Sequence, residues 1–581
     1  MTALTNAPDD RPPHQAPIDP SLRRSGPTVM RLERLGAFHP TRLSFARTLV
    51  RRMIRERWSI EPISWDLDDD GYGSAVLKIS TPTTPLYFYA FSQSIAPEER
   101  TDRVIAERWD TTYALSTAPP SDRTRARLAR EVPRQEAGRL EASEWVLSRA
   151  NKSVRFFEHV VNALANREAP SDALLEDVGY LMRTTAVYGN GKFGLADFDV
   201  VRRSGLFALP FQAEMLTVYL VREFSVRLVE HIAARRAHRS SVSLPSPFAR
   251  ALGIGNATGL GMAPFLVTHP RLLHHWMNAR ETALARVRAV ESITAQTLAD
   301  ARSLLDQTHH YVGAWQTDDQ RQSDARAKLV TELERVRTDW FSDDALTNHQ
   351  RPWDQLYIDI DQWASLETVE LIVAFLLELH PTLVDDLEHT TAADEQWSYT
   401  PTMPVRELRA LCETHYGWAL ALAFDEPKAE QQFWYVSAAK EEPRLGARFE
   451  EPGAEHELPI DIGRQVHRLY RATEPDDLRT VGELLQAQPA LRGVVRRVQS
   501  LAGLEYAEIQ ANLLDADALP IHMLRCKLAT FGANRFDPKS NLWTRITLFQ
   551  NAPLAGELHR CDENAWALFG ASKSITDDAG A

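Results

Sequence analysis

Apolar residues recur at intervals of three and four along much of this chain, the spacing that gathers them on one face of an α-helix. Phe211 to about Ala237 carries Leu216, Leu220, Val221, Leu228 and Val229 in this pattern. Arg271 to His310 is a nearly unbroken helical pattern with Leu284, Val287, Val290 and Ile293 on a broad stripe. If continuous, it would reach about 60 Å at ~1.5 Å per residue. Arg321 to Phe341 follows, with Leu329, Leu333, Val336 and Trp340. These stripes predict a helical hairpin packed through its apolar faces. Val369 to Leu387 reads as a further buried helix. A different pattern occupies residues 72–77 and 86–92, where aromatic and β-branched residues flank a Pro-bearing turn and predict a β-hairpin.

The hairpin is the first of three features that recur near the other end of the chain in the same order and at a near-constant offset. Tyr72-Gly73 and the strand after it match Tyr416-Gly417-Trp418-Ala419-Leu420-Ala421 followed by Phe433 to Ser437. Thr117, Pro119, Arg123-Thr124, Leu128 and Pro133 match Thr473, Pro475, Arg479-Thr480, Leu484 and Pro489 with no gap, each set read as a capped helix starting near its first proline. Tyr188-Gly189-Asn190-Gly191-Lys192-Phe193 matches Phe531-Gly532-Ala533-Asn534-Arg535-Phe536, each turn expected after a helix ending near an arginine, Arg183 or Arg525. Ordered matches predict an internal duplication. A chain of 581 residues also exceeds what one core usually serves. The expected fold is α+β and predominantly α-helical, with internally duplicated hairpin-plus-helices units flanking a central helical domain. The boundaries are a disordered tail at 1–30, a first unit at 31–205, a central domain at 206–400, a second unit at 401–571 and a tail at 572–581.

Composition narrows the function classes. A net charge of −13, with only short basic runs such as Arg235-Arg236-Ala237-His238-Arg239, argues against nucleic acid as a partner. Three widely spaced cysteines, Cys412, Cys526 and Cys561, argue against a disulfide framework or a Cys-rich zinc site and fit a reducing compartment. Residues 1–26 lack the apolar core of a signal peptide, and the most apolar run, Val369 to Leu379, contains Glu370 and Glu378 and is too short to span a bilayer. A soluble cytoplasmic protein with no membrane partner is expected.

Two neighbourhoods carry candidate chemistry. In the repeated turn, glycine permits φ > 0 and converging N–H groups, while Lys192 and Arg535 at matched positions would hold a carboxylate or phosphate, with Asn190 and Asn534 beside them and Arg183 and Arg525 behind. The competing reading is a helix C-cap, which favours glycine and asparagine at the same places. In Gly253-Ile254-Gly255-Asn256-Ala257-Thr258-Gly259-Leu260-Gly261, clustered glycines predict a loop that approaches a ligand, with Gly255, Asn256 and Thr258 orienting it and His269 or His274 moving a proton. A close crossing of helices explains the same glycines. No strand is expected before this run and Glu281 falls in a helical pattern, so the dinucleotide fingerprint is excluded. Metal ligation is disfavoured: His274-His275 and His309-His310 are adjacent pairs, His380 and Asp385 sit in a charged helix end, and Asp66 to Gly71 lacks the closing glutamate of a calcium loop. Cys526 has no identifiable partner base and reads as a packing residue.

The resulting expectation is an enzyme acting on a small anionic molecule, carboxylate- or phosphate-bearing, with lyase or transferase chemistry slightly preferred and no cofactor specified. The first alternative is a non-catalytic interaction protein, with the central helices a candidate homo-oligomer surface. The second is a helix-bundle cofactor protein of the haem type.

Overall fold

The computed structural model describes residues 19–96, 109–134, 140–184, 205–237, 241–259, 264–342, 345–393, 396–424, 434–437, 442–445, 456–457, 462–510, 521–538, 543–567 and 569. Alternating and β-branched segments build a ten-stranded mixed sheet. Its strands are β1 (Ser59–Leu67), β2 (Gly73–Ser80), β3 (Leu86–Ser92), β4 (Thr111–Ser116), β5 (Glu144–Trp145), β6 (Arg149–Lys152), β7 (Tyr180–Thr184) and β8 (Gly253–Gly259), joined by two late strands. Three short strands, β9 (Trp434–Ser437), β10 (Glu442–Leu445) and β11 (His456–Glu457), form a separate sheet. The late strands β12 (Arg535–Pro538) and β13 (Trp543–Leu548) return to the large one, whose order is β1-β2-β3-β4-β6-β7-β8-β13-β12, with β5 paired to β4. Neighbours run antiparallel except β7 and β8, which are parallel and need a long crossover between them.

That crossover includes the Gln212–Arg236 helix, packed against β7 and β8. Its Phe224 meets Trp65 of β1 and Tyr113 of β4, with ring centroids 5.6 and 6.0 Å apart. Arg222, fully buried on this helix, donates to the carbonyls of Leu252, Ala552 and Pro553 and so ties the approach of β8 to the exit of β13. Across β2 to β4, a smaller cluster of Val76, Tyr87, Tyr89, Phe91 and Ala114 packs under Leu128 of the Asp122–Glu131 helix.

The central segment has its own core. The Ala295–Gly313 and Gln320–Phe341 helices pack as the expected hairpin, and Leu298, Leu305, Leu329, Leu333 and Val336 are buried with Leu371, Ile372 and Phe375 of the Leu366–Leu379 helix. The stretch expected as one helix from Arg271 to His310 is two, Pro270–Arg288 and Ala295–Gly313. Thr294 starts the second by accepting a hydrogen bond from the Thr297 N–H. The helix expected to reach Leu387 stops at Leu379, because Pro381 cannot continue the ladder.

Three other expectations change. The tail drawn to residue 30 is ordered from Asp19: Val29 and Met30 are buried, and Arg24 bridges Glu281 and Glu370 at 2.7 and 2.6 Å. Its polar sequence conceals burial because the neutralising carboxylates lie far along the chain. The tail at 572–581 lies outside the described residues. The first pair of repeated segments occupies unlike elements. Residues matched to the β2 strand form the Gly417–Leu420 helix, and β9 pairs with β10 and β11 instead. The Asp122–Glu131 helix is capped by Ser121 and the Val481–Ala487 helix by Thr480, which are not matched positions. Arg183 lies on a strand, whereas Arg525 lies within the Ile521–Phe531 helix. Among the described residues the fold repeats at the second match alone, where a helix leads into a short 3-10 turn in both places, and this does not confirm a duplication. An aromatic beside a glycine suits a strand or a helix start, and long-range pairing decides between them. The acidic run at 66–71 is the β1–β2 turn, where Asp68 accepts from the N–H groups of Asp70 and Tyr72 at 3.0 and 2.8 Å.

Candidate functional site

A basic cleft opens over β7, β8 and β13. Tyr180 pairs with Gly253 and Arg183 with Gly255, so β7 carries one more residue than β8 between the two pairs. Side chains alternate along a strand, and this extra residue brings Tyr180 and Arg183 to the same face. The glycines that read as a loop are the central strand β8 itself. They keep this face low: a Cβ at Gly255 would lie 2.3 Å from the Tyr180 ring, and one at Gly253 would lie 2.3 Å from Thr547 Cγ2 and 2.5 Å from the Leu548 carbonyl oxygen.

The cleft, about 450 Å³ and open to solvent, is lined among the described residues by Lys152, Arg155, Arg183 and Arg545, with Asp177, Asp318 and Tyr180. Lys152 ends β6 and its ammonium lies 5.2 and 5.1 Å from the rings of Tyr72 and Phe157, where cation–π attraction holds it. Arg155 pairs with Asp177 at 3.1 Å, both side chains well exposed. Asp318 comes from the connection between the Ala295–Gly313 and Gln320–Phe341 helices, so the central hairpin meets the sheet here.

Arg545 differs from its neighbours. It stands on β13 between β8 and β12, its Nε is buried, and its guanidinium makes no hydrogen bond or ion pair among the described residues. Burying part of a guanidinium without a partner is costly, and a bound anion relieves that cost. No family model, curated protein or solved structure matches this chain. The geometry alone carries the functional reading.

Of the residues singled out in the sequence, Arg183 lines this cleft, and Gly255 lies against Tyr180, which does too. Arg535 stands beside it with its charge already engaged: Nε lies 3.1 Å from Asp537, and Nη2 donates to the Asp177 carbonyl at 3.3 Å, at the end of the Asp172–Val178 helix. Its turn is a helix terminus. The N–H groups of Gly532 and Ala533 return to the Leu528 carbonyl, Gly532 has φ 95°, and Asn534 donates to the Gln550 carbonyl at 2.9 Å. Asn190 and Lys192 lie outside the described residues.

Arg525 occupies a separate, small pocket of about 20 Å³ with Trp315, Leu528 and Phe536. There it pairs with Glu367, donates to His39 Nε2 at 3.2 Å and lies 5.3 Å from the Trp315 ring. Asn256 is buried on β8, its backbone in register with Ile546, whereas Thr258 is in register with Thr544. Alternation along β8 puts Asn256 on the face opposite Gly255. His269 precedes the Pro270–Arg288 helix at its N-cap position without a side-chain capping bond, and His274 accepts the Tyr506 N–H at Nδ1, 3.0 Å away. Burial, helped by the positive charge of His275, Arg23 and Arg271, pushes His274 down to about 4. Neither histidine lines the cleft. The residue that sequence reasoning missed is Arg545. Its signal was a cation within the β-branched run Thr544 to Leu548, where a structural strand has little use for one.

Proposed function

We propose that the protein binds a small anionic molecule, carboxylate- or phosphate-bearing, in the cleft over β7, β8 and β13, and acts on it as an enzyme. The observation that supports this is the unpartnered guanidinium of Arg545 opening into a space shared with Lys152, Arg155 and Arg183. Such a constellation attracts anions and holds them by charge-assisted hydrogen bonds. Asp318 adds a carboxylate to the lining of the same cleft. The interaction-protein reading draws less support, since Leu284, Val287, Leu329, Leu333 and Val336 of the central stripes are buried within the chain, with Val290, Ile293 and Trp340 partly so.

Isothermal titration with inorganic phosphate and citrate at low salt tests the proposal. Saturable binding that weakens with added salt is expected. Arg545→Gln should weaken it by about tenfold or more, the scale of one lost charge-assisted hydrogen bond. Arg545→Lys, which retains the charge, should weaken it less. Absence of binding by both anions, or equal affinity in a folded Arg545→Gln variant, would overturn the proposal.

A further inference from the structure

Arg535 stands outside the lining of the cleft, yet its place on β12 bears on whether Arg545 can serve an anion. We infer that Arg535 is a positioning residue, a reading that rests on anion binding at Arg545: by holding the Asp537 carboxylate, it keeps the Arg545 guanidinium available to the ligand.

Register is the first argument. Between β12 and β13, Asp537 is the direct cross-strand partner of Arg545, and Arg535 is that of Thr547. Directly opposed residues of an antiparallel pair share one face, with Cβ atoms about 4.5–5.5 Å apart. Alternation puts Arg535, two residues before Asp537, on that face as well. One carboxylate therefore stands beside two guanidiniums, one on its own strand and one on the strand opposite.

The choice between them is the second argument. Asp537 Oδ2 lies 3.1 Å from Arg535 Nε, and both side chains are largely buried. Arg535 is fixed from its other side too. Its Nη2 donates to the Asp177 carbonyl at 3.3 Å, and a Cβ at Gly179 would lie 3.1 Å from its Nη1. No side-chain hydrogen bond or ion pair joins Arg545 to Asp537 among the described residues; Arg545 lines the cleft instead, with its Nε buried.

The consequence follows from the cost of burying charge. Removing the Arg535 guanidinium would leave the Asp537 carboxylate buried without that cation, a state costly enough to draw in the guanidinium across the strand. Arg545 would then be neutralised within the protein and lost to the anion. Arg535 thus acts through Asp537 and touches no ligand itself.

Isothermal titration of the full chain with inorganic phosphate tests this, with thermal melts to establish that each variant folds. Arg535→Gln should weaken binding about tenfold, the scale of one charge-assisted hydrogen bond, and adding Asp537→Asn should restore the parental affinity. In an Arg545→Gln background, Arg535→Gln should change affinity by less than about twofold, whereas a general loss of positive charge would cost the same in both backgrounds. Asp537→Asn alone, which needs no folded Arg535→Gln protein, should tighten binding by taking a negative charge from beside Arg545. Parental affinity in folded Arg535→Gln, a loss that persists after Asp537→Asn is added, an equal loss in the Arg545→Gln background, or weaker binding by Asp537→Asn alone would each overturn the inference and leave anion binding at Arg545 standing. If the parent chain binds no phosphate, or Arg545→Gln leaves its affinity unchanged, both readings fall together.

Discussion

Arg535 and Arg545 sit on paired strands, and their surroundings separate them. Arg535 has a carboxylate and a helix-terminal carbonyl for its N–H groups; Arg545 has neither. Gly255 is the residue on which the cleft floor depends, because the Tyr180 ring occupies the place its side chain would take. Gly255→Ala should therefore displace that ring, lower stability by roughly 1–3 kcal/mol as overpacking does, and weaken phosphate binding. Urea denaturation and phosphate titration of the variant check this, and unchanged values in both would contradict it. The glycines were visible in the sequence as a place of close approach. What they approach, a tyrosine brought over by an extra residue in β7, was not, since a bulge is a property of two strands together.

At the scale of elements, the N-terminal segment shows how polar sequence becomes core. Glu370, on the Leu366–Leu379 helix, is fully buried between Arg24, Arg34 and Arg280, at 2.6, 2.9 and 2.6 Å. Burial alone would raise its pKa, but the guanidiniums of Arg24, Arg280 and Arg34 outweigh it and hold the carboxyl well below its ordinary value. The Phe45–Arg55 helix repeats the device, with Arg47 on Glu378 at 2.7 Å and Arg51 on Glu388 at 2.9 Å. Glu370→Gln should cost about 3–5 kcal/mol, because it strands buried guanidiniums. Asp339→Asn, which breaks the exposed pair with Arg335, should cost under about 0.5 kcal/mol. Equilibrium unfolding of both variants compares them, and similar costs would refute the buried-network account. Helix periodicity was legible in these segments. The docking was not, because each arginine finds its carboxylate more than three hundred residues away in several of the pairs.

For the whole molecule, several histidines are held neutral. Burial pushes His380 down to about 4, does the same to His274 with nearby positive charge assisting, and lowers fully buried His39 well below its ordinary value, with Arg525 contributing. A folded-state pKa below the unfolded one means that the unfolded chain takes up more protons in between. Stability should therefore be full above about pH 6.5 and fall as the pH drops toward 4. Urea midpoints measured across that range should decline, and His380→Leu should flatten the decline; a flat profile in the parent chain would sink the argument. The ten-stranded sheet is also a whole-molecule feature. It takes β1 to β7 from the first third, β8 from the middle and β12 and β13 from the end, so it crosses the boundaries expected at 205 and 400.

Periodicity in the sequence determined the helices, because a helix closes its hydrogen bonds within itself and the apolar spacing needed to bury one face is written locally. It also determined the first hairpin, and it marked Arg183 and the glycines of β8 as residues to watch. Tertiary structure alone decided that those glycines form a strand, that the segment matched to β2 becomes a helix, and that Arg545 rather than Arg535 is left unpaired beside an open cleft. Strand order, register and charge pairing depend on residues far apart along the chain, and a local pattern carries no record of which distant partner will satisfy it.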